Sequence, residues 1–181
     1  MFVILLSLKH ASDGDAVSFQ CLNNWHDACI SKCERSQVDR TLKERFKWKF
    51  TSESVRDIFK GLENGNGAAF FERVADDVDW TVMGTHPLAG HYRSKKAFTE
   101  ATFAKLSQVL PQGAQLHVAD LLVKGDVAVV ELHSLATAKN GMRFDNRYCW
   151  VVFFRNGLIV RVRAYLDSAM VARLFEENPI A

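Results

Sequence analysis

The sequence has little net charge and few cysteines, and each shortage excludes a class of protein. The formal net charge of the 181 residues is +2, which is too small for the basic stripe that binds nucleic acid. The four cysteines, three of which are Cys21, Cys29 and Cys33, are too sparse for a secreted domain stapled by disulfides. We therefore expect reduced thiols, a cytoplasmic protein and no nucleic-acid partner.

Long apolar runs and cofactor motifs are also missing. The apolar run at positions 2–8 is far shorter than the ~20 residues that span a bilayer, and no basic region precedes it, so no membrane partner is expected. The cluster of His26 with the three early cysteines lacks the close Cys-x-x-Cys pair of zinc sites. Phosphate-binding loops and dinucleotide fingerprints are absent from the sequence, so we expect neither a metal nor a cofactor.

The hydrophobic pattern divides the chain near residue 50. Residues 1–50 show no sustained period and are interpreted as an N-terminal extension. An added helix and arm, a disordered tail or an inaccurate gene start all fit this segment, and the sequence leaves the choice open. Residues 51–181 have the pattern of one folded domain.

The domain pattern predicts helices first and a sheet afterwards. Ser52 is expected to cap an amphipathic helix, and a second short helix should end at Asp76-Asp77. A strand follows at 78–82, and Ser94 is expected to cap a third helix. Four long strands separated by Asn/Gly turns are predicted at 116–123, 127–138, 144–154 and 158–166, before a last helix at 169–177. Helices segregated from an antiparallel sheet indicate an α+β fold.

Three pieces of sequence carry a family resemblance. They are the Asp76-Asp77-x-x-Trp80 step, the Gly84-Thr85-His86-Pro87 loop closed by Gly90, and the terminal Tyr165-x-Asp167. With the order of elements, they resemble the SnoaL-like branch of the nuclear transport factor 2-like superfamily, which includes ketosteroid isomerases, limonene epoxide hydrolases and scytalone dehydratases. The resemblance implies a cone-shaped, curved antiparallel sheet wrapped by N-terminal helices around an apolar pocket. The catalytic residues of the isomerase and epoxide hydrolase branches have no counterparts here, so neither activity is assigned.

Strand alternation predicts which side chains face that pocket, because successive residues point to opposite sides of a sheet. The family comparison places Glu131 and His133 on the concave, pocket side. The other residues expected at the pocket are Trp80, Val82, Asn146, Tyr148, Trp150, Val162, Ala164 and Leu166, with His86 and Asp167 at its rim. Turn stabilisation is the alternative role for His86, and helix N-capping is the alternative for Asp167.

A Glu and a His within an apolar pocket would be suited to proton transfer. Histidine is the side chain that changes charge near neutral pH, so His133 and Glu131 are proposed as the acid–base pair. Tyr148 and Asn146 are proposed to bind a substrate oxygen. In the alternative interpretation, Glu131 and His133 pair on the opposite side of the sheet, facing a second subunit.

The resulting functional hypothesis is an enzyme that works without a cofactor. A cyclase, isomerase or dehydratase acting on a cyclic, apolar polyketide or terpenoid intermediate fits the expected pocket. A ligand-binding protein without catalysis and a protein-interaction domain are the alternatives. A homodimer through the convex sheet face is also expected, because this face was assigned the apolar residues Val130, Leu132, Cys149, Val151 and Phe153.

Overall fold

The structure, a computed structural model, describes residues 50–65 and 67–180. The predictions for the N-terminal extension and its cysteine cluster lie outside these residues. Within them the helices are α1 (Ser52–Phe59), a 3₁₀ turn (Lys60–Leu62), α2 (Ala68–Phe71), α3 (Lys95–Ala101), α4 (Phe103–Val109) and α5 (Ser168–Glu177). The strands are β1 (Val74–Val82), β2 (Gly90–Tyr92), β3 (Gln115–Lys124), β4 (Val127–Leu135), β5 (Arg147–Arg155) and β6 (Leu158–Leu166).

The strands form one six-stranded sheet in the order β2-β1-β6-β5-β4-β3, with β2 and β3 at its open edges. All neighbours are antiparallel except β1 and β6, which run parallel. Helices and sheet are segregated along the chain, and the predicted α+β class is confirmed. The parallel pair was not predicted, since β1 and β6 are separated by most of the domain and sequence alternation carries no information on which strands pair.

Strand β1 starts four residues before the predicted position. Val74 and Ala75 are buried, whereas Asp76 and Asp77 are exposed, and the pairing with β6 is irregular between Val74 and Asp79. A break in register lets both carboxylates reach water without ending the strand. The acidic pair was therefore wrongly interpreted as the end of a helix.

The turns between long strands follow the predicted chemistry. In the β5–β6 hairpin, Asn156 and Gly157 both adopt positive φ angles, 51° and 82°. Two successive residues at positive φ are typical of the tight turns that match strand twist, and Asn and Gly tolerate them best. Gly125 (φ 61°) serves the same purpose between β3 and β4.

Hydroxyl side chains define the helix boundaries. Thr51, rather than Ser52, caps α1, and it forms a capping box with Ser54. Ser94 caps α3 as predicted, accepting from the Ala97 amide at 3.1 Å. The third predicted helix is broken at Thr102, whose hydroxyl donates to the Phe98 carbonyl at 2.6 Å. Side-chain bonds of this kind compete with the helix ladder and bend helices.

Aromatic rings fill the space between the helices and the inner sheet face. Phe59, Phe70, Trp80, Phe98 and Trp150 are all buried in one core cluster. The indole of Trp80 stacks on Phe98 with ring centroids 3.9 Å apart and meets Trp150 edge-on at 5.2 Å. Large rings in such contacts dominate core energetics. Three of these rings, those of Trp80, Phe98 and Trp150, also line an apolar cavity.

Membrane-spanning helices are not found in the described part of the chain, where no helix is both long and apolar enough to cross a bilayer.

Candidate functional site

A cavity of about 60 Å³ lies between the inner sheet face and helices α3, α4 and α5. The sheet contributes its floor, and the helices and the 84–90 loop contribute its sides. The lining residues are Trp80, Val82, His86, Leu88, Phe98, Thr102, Phe103, Leu106, Ala114, Leu116, Phe144, Tyr148, Trp150, Ala164, Leu166 and Val171. Pockets for drug-sized ligands measure about 300–1,000 Å³, so a ligand of that size requires lining side chains to move.

Seven of the expected pocket residues lie on this cavity. Strands β1, β5 and β6 direct the predicted side chains inward, and His86 enters from the loop. The seven residues are Trp80, Val82, His86, Tyr148, Trp150, Ala164 and Leu166. The pairing of Trp150 with Ala164, and of Ala164 with Val82, brings residues of three strands together on one patch of the sheet.

Val162 and Asp167 do not line the cavity. Val162 is completely buried in the core and pairs across the sheet with Trp80 and Val152. Asp167 is exposed, and its carboxylate accepts from the amides of Ala169 at 3.0 Å and Met170 at 3.1 Å. The helix-capping alternative for Asp167 is therefore confirmed, and its expected place at the cavity rim is not observed.

The predicted facing of Glu131 and His133 was wrong. Val130 and Leu132 pair with Trp150 and Tyr148 and are buried, so the residues between them point to the outer face. There Glu131 is exposed opposite Cys149, while His133 stacks on His117 with ring centroids 5.5 Å apart. A comparison displaced by one residue along β4 inverts every side chain of the strand. This position does not support proton transfer by the pair in the cavity.

Tyr148 presents a phenol to the cavity. Burial raises the pKa of its hydroxyl, and a hydrogen bond with Ser134 opposes this effect. The Ser134 hydroxyl itself donates to the Phe144 carbonyl at 2.7 Å and accepts from the Asn146 amide at 2.9 Å. Tyr148 is therefore a neutral phenol held by a buried network, suited to hydrogen bonding rather than to acting as a base.

Asn146 is completely buried but serves the backbone. Its Oδ1 accepts from the amides of Arg147 at 2.7 Å and Asp167 at 3.1 Å, and its Nδ2 donates to the Asp167 carbonyl at 3.3 Å. These bonds tie the start of β5 to the end of β6. The side chain is not among those that line the cavity, and the expected contact with a substrate oxygen is not observed.

Replacing Asn146 by Ala is expected to destabilise the domain by about 1–3 kcal/mol, because a completely buried side chain is lost, the Arg147 amide loses its acceptor and the Asp167 amide loses one of its two acceptors. Urea unfolding of the purified protein measures the change. Gln112→Ala, which removes an exposed amide, is the matched control and should alter stability by less than about 0.5 kcal/mol. Equal, small effects of both substitutions would contradict the structural role of Asn146.

His86 is buried, and both of its ring nitrogens are engaged. Nδ1 accepts from the Leu88 amide at 3.2 Å, so Nε2 carries the proton and donates to the Met83 carbonyl at 3.2 Å. Burial lowers its pKa, and the backbone hydrogen bond opposes this. Neutral His86 thus stabilises the loop, as its alternative interpretation proposed, and would have to give up the Leu88 bond to accept a proton.

The sequence did not reveal which polar groups of the cavity-lining residues lack a hydrogen-bond partner. Across the described ranges, the indole Nε1 atoms of Trp80 and Trp150 are buried and have no hydrogen-bond partner. An unpartnered buried donor costs about 1–3 kcal/mol. Two tryptophans on the inner face of the sheet, one on β1 and one on β5, were a visible signal in the sequence, but they were interpreted only as apolar lining. None of the described lining residues is a carboxylate, a lysine or an arginine.

The fold is an α+β domain that encloses an apolar cavity between its sheet and its helices. The model of the SnoaL-like domain family matches residues 55–162 of this sequence. The chain belongs to the SnoaL-like domain family. This confirms the resemblance inferred from the sequence.

Known proteins similar to this chain are of two kinds. A curated relative, the dimerizing cyclase phiC of a fungal species (strain ATCC 74256), is 29% identical over 130 residues, which are 70% of this chain and 57% of the relative. This chain therefore spans little more than half the length of that relative. A solved NTF2-like protein from Burkholderia thailandensis E264 is 25% identical, with a TM-score of 0.59 over 67% of this chain and 93% of its own.

A further solved structure shows the same fold. It is TerC co-crystallised with polyporic acid, which is 21% identical to this chain with a TM-score of 0.58, over 68% of this chain and 96% of its own. At that identity the likeness establishes the fold alone.

Proposed function

We propose that the chain binds a small, cyclic, mostly apolar molecule in the cavity and catalyses a cyclase- or isomerase-type reaction on it without a cofactor. The observation that carries this proposal is an apolar cavity within a SnoaL-like domain, lined by aromatic rings from both the sheet and the helices. The name of the relative phiC, a dimerizing cyclase, supports a ring-forming reaction. A polyketide or terpenoid intermediate has the polarity that such walls accept, and lining side chains would move to admit it.

The lining residues favour catalysis by orientation. Aromatic walls can hold a flexible substrate in a reactive conformation, and well-oriented intramolecular reactions gain about 7–11 kcal/mol over their unoriented counterparts. Tyr148 can polarise a carbonyl group only by giving up its hydrogen bond to Ser134, whose own proton goes to the Phe144 carbonyl. The cavity lining is less suited to removing a proton from a substrate, because both ring nitrogens of His86 are hydrogen-bonded within the loop.

The experiment is a thermal-stability screen followed by chemical analysis. The full chain is incubated with cyclic ketones, epoxides, aromatic polyketides and sterols, and each stabilising compound is recovered and its mass and chromatographic retention are measured. Binding stabilises the folded state by about 2.7 kcal/mol at a ligand concentration of 100 times the dissociation constant. A stabilising compound that is converted supports the enzyme, and failure of every compound to stabilise the chain counts against the cavity as a ligand site.

A second candidate function is binding without catalysis. The observation that favours it is the lack, among the described lining residues, of a carboxylate or an uncommitted histidine nitrogen. This candidate predicts that the stabilising compound is recovered chemically unchanged after long incubation. Conversion that depends on the folded protein would exclude it.

We also propose that two copies of the chain associate through the outer sheet face. Cys149, Val151 and Phe153 lie on this face as expected, but Val130 and Leu132 are buried on the inner side, and Val129 and Glu131 take their place. Arg161 and Arg163 lie on β6, with the Arg161 guanidinium 3.8 Å from the centre of the Phe153 ring. Asp120 and Glu131 lie on the other side of the face, at β3 and β4.

This charge distribution suits a two-fold interface. A two-fold axis near β5 would place the arginines of one copy against the carboxylates of the other, twice over, as an isologous interface requires. The apolar strip along β4 and β5 would form its centre. The proposed partner is therefore a second copy of the chain. It would bind at the outer sheet face, whose central residues on β4 and β5 are Val129, Glu131, Cys149, Val151 and Phe153.

A further inference from the structure

We propose that the indole N–H groups of Trp80 and Trp150 form a donor pair that binds the carbonyl oxygen of a neutral cyclic ketone in the cavity. This inference rests on the proposed ligand-binding function and names the group that the site recognises. Both indoles line the cavity, and both N–H groups lack a partner in residues 50–65 and 67–180. They are two of only three side-chain nitrogens or oxygens in those ranges that are buried and unpartnered.

The positions of the two rings are set by the surrounding aromatic core. Trp80 is held against Phe98 at 3.9 Å, and Trp150 is held between Phe59 at 5.9 Å and Tyr148 at 6.4 Å. Trp80 and Trp150 are nearly perpendicular, at 84°, with centroids 5.2 Å apart. Both rings line the same cavity, so their N–H groups can serve atoms of one small ligand, and the packing restricts the freedom of the rings to turn elsewhere.

The polar groups of the cavity lining determine which kind of ligand oxygen can bind there. An indole N–H can donate but not accept, so the ligand must present an acceptor. The remaining polar groups are committed, because Thr102 donates to Phe98, His86 bonds the loop backbone and the Tyr148 hydroxyl is hydrogen-bonded to Ser134. Lysine and arginine are not found among the described residues of the wall, so a carboxylate or phosphate would be buried without a counter-charge. A neutral carbonyl meets both conditions.

The test compares cyclohexanone with cyclohexane, which differ only by the carbonyl group. Each is titrated into ¹⁵N-labelled full-length protein, and the side-chain indole N–H signals are followed by NMR. The chain has four tryptophans, and the spectra of Trp80→Phe and Trp150→Phe assign the two relevant signals. We expect cyclohexanone to move both signals downfield, as hydrogen bonding does, and cyclohexane to produce no such shift.

Affinities supply a second readout. Each Trp→Phe substitution keeps an aromatic ring but removes the donor and one fused ring, so cyclohexanone should bind about three- to tenfold more weakly relative to cyclohexane, from the net value of one hydrogen bond. Cyclohexane, which loses no polar contact, measures the effect of the lost ring area alone. Glu131→Gln, on the outer face, should change neither affinity. If one variant fails to fold, the other still assigns its own indole signal in the wild-type spectrum, and the wild-type titration decides at that signal.

The outcomes separate this inference from the proposed function. If both compounds bind with similar affinity and the indole signals do not move downfield, the cavity is a ligand site and the donor pair is wrong. In that case the indole N–H groups would be satisfied by weak hydrogen bonds to the faces of neighbouring aromatic rings, which need no ligand. If neither compound binds at saturation, both the donor pair and the ligand-binding cavity are rejected.

Discussion

Ala164→Leu is expected to abolish ligand-dependent stabilisation while leaving the domain folded. Ala164 is buried on β6 at the cavity floor, where it pairs with Trp150 and Val82. A larger side chain at this point projects into a space of about 60 Å³, which it would largely fill. The compound that stabilises the wild-type chain most would lose its site, and with it about 2.7 kcal/mol of stabilisation at 100 times the dissociation constant.

The free energy of unfolding without ligand shows whether the change is local. Overpacking a tight core costs about 1–3 kcal/mol, but here the added atoms enter existing space, so we expect a cost at the low end of that range or below it. Ala104→Leu is the matched control, since Ala104 is exposed on α4 and away from the cavity lining. Full ligand stabilisation in Ala164→Leu, measured by thermal unfolding, would show that the ligand binds elsewhere.

The fold could be predicted because its signals are local. Alternation on the long strands, Asn/Gly turns and hydroxyl caps each depend on a few neighbouring residues, and Ser94 and the Asn156-Gly157 turn have the structures that their chemistry favours. The parallel pairing of β1 with β6 joins distant segments, and no local pattern encodes it. The start of β1 was misplaced because exposed acidic residues within an irregular strand resemble a helix end.

The site residues could be predicted only on strands where the sequence pattern identifies the face that points inward. Trp80, Trp150 and Ala164 face inward as alternation requires. On β4 both faces are largely apolar, so the pattern did not choose between them, and the family comparison placed Glu131 on the wrong side. The hydrogen-bond partners of the polar side chains could not be predicted from the sequence, because Asn146 and His86 bond to backbone groups that the fold brings near them.

Val151→Glu is expected to convert a dimer into a monomer. Val151 lies half-buried at the middle of the outer sheet face, beside Val129 on β4 and Arg163 on β6. In a two-fold interface centred on β5, the new carboxylates of the two copies would lie close together, and like charges facing each other across an interface cost several kcal/mol. The mass in solution should fall from about 41 kDa, twice the 20.5 kDa of one chain, to that of one chain.

Sedimentation equilibrium across a range of protein concentrations measures this change, and Ala104→Glu supplies the same added charge on exposed helix α4. The control should keep the dimer mass, because it lies on the helical side of the sheet. A wild-type chain that sediments as a monomer would contradict the interface directly. A dimer that persists in Val151→Glu would place the interface on another surface, and the arginines over Phe153 would then serve to shield the outer face from water, as long cationic side chains do.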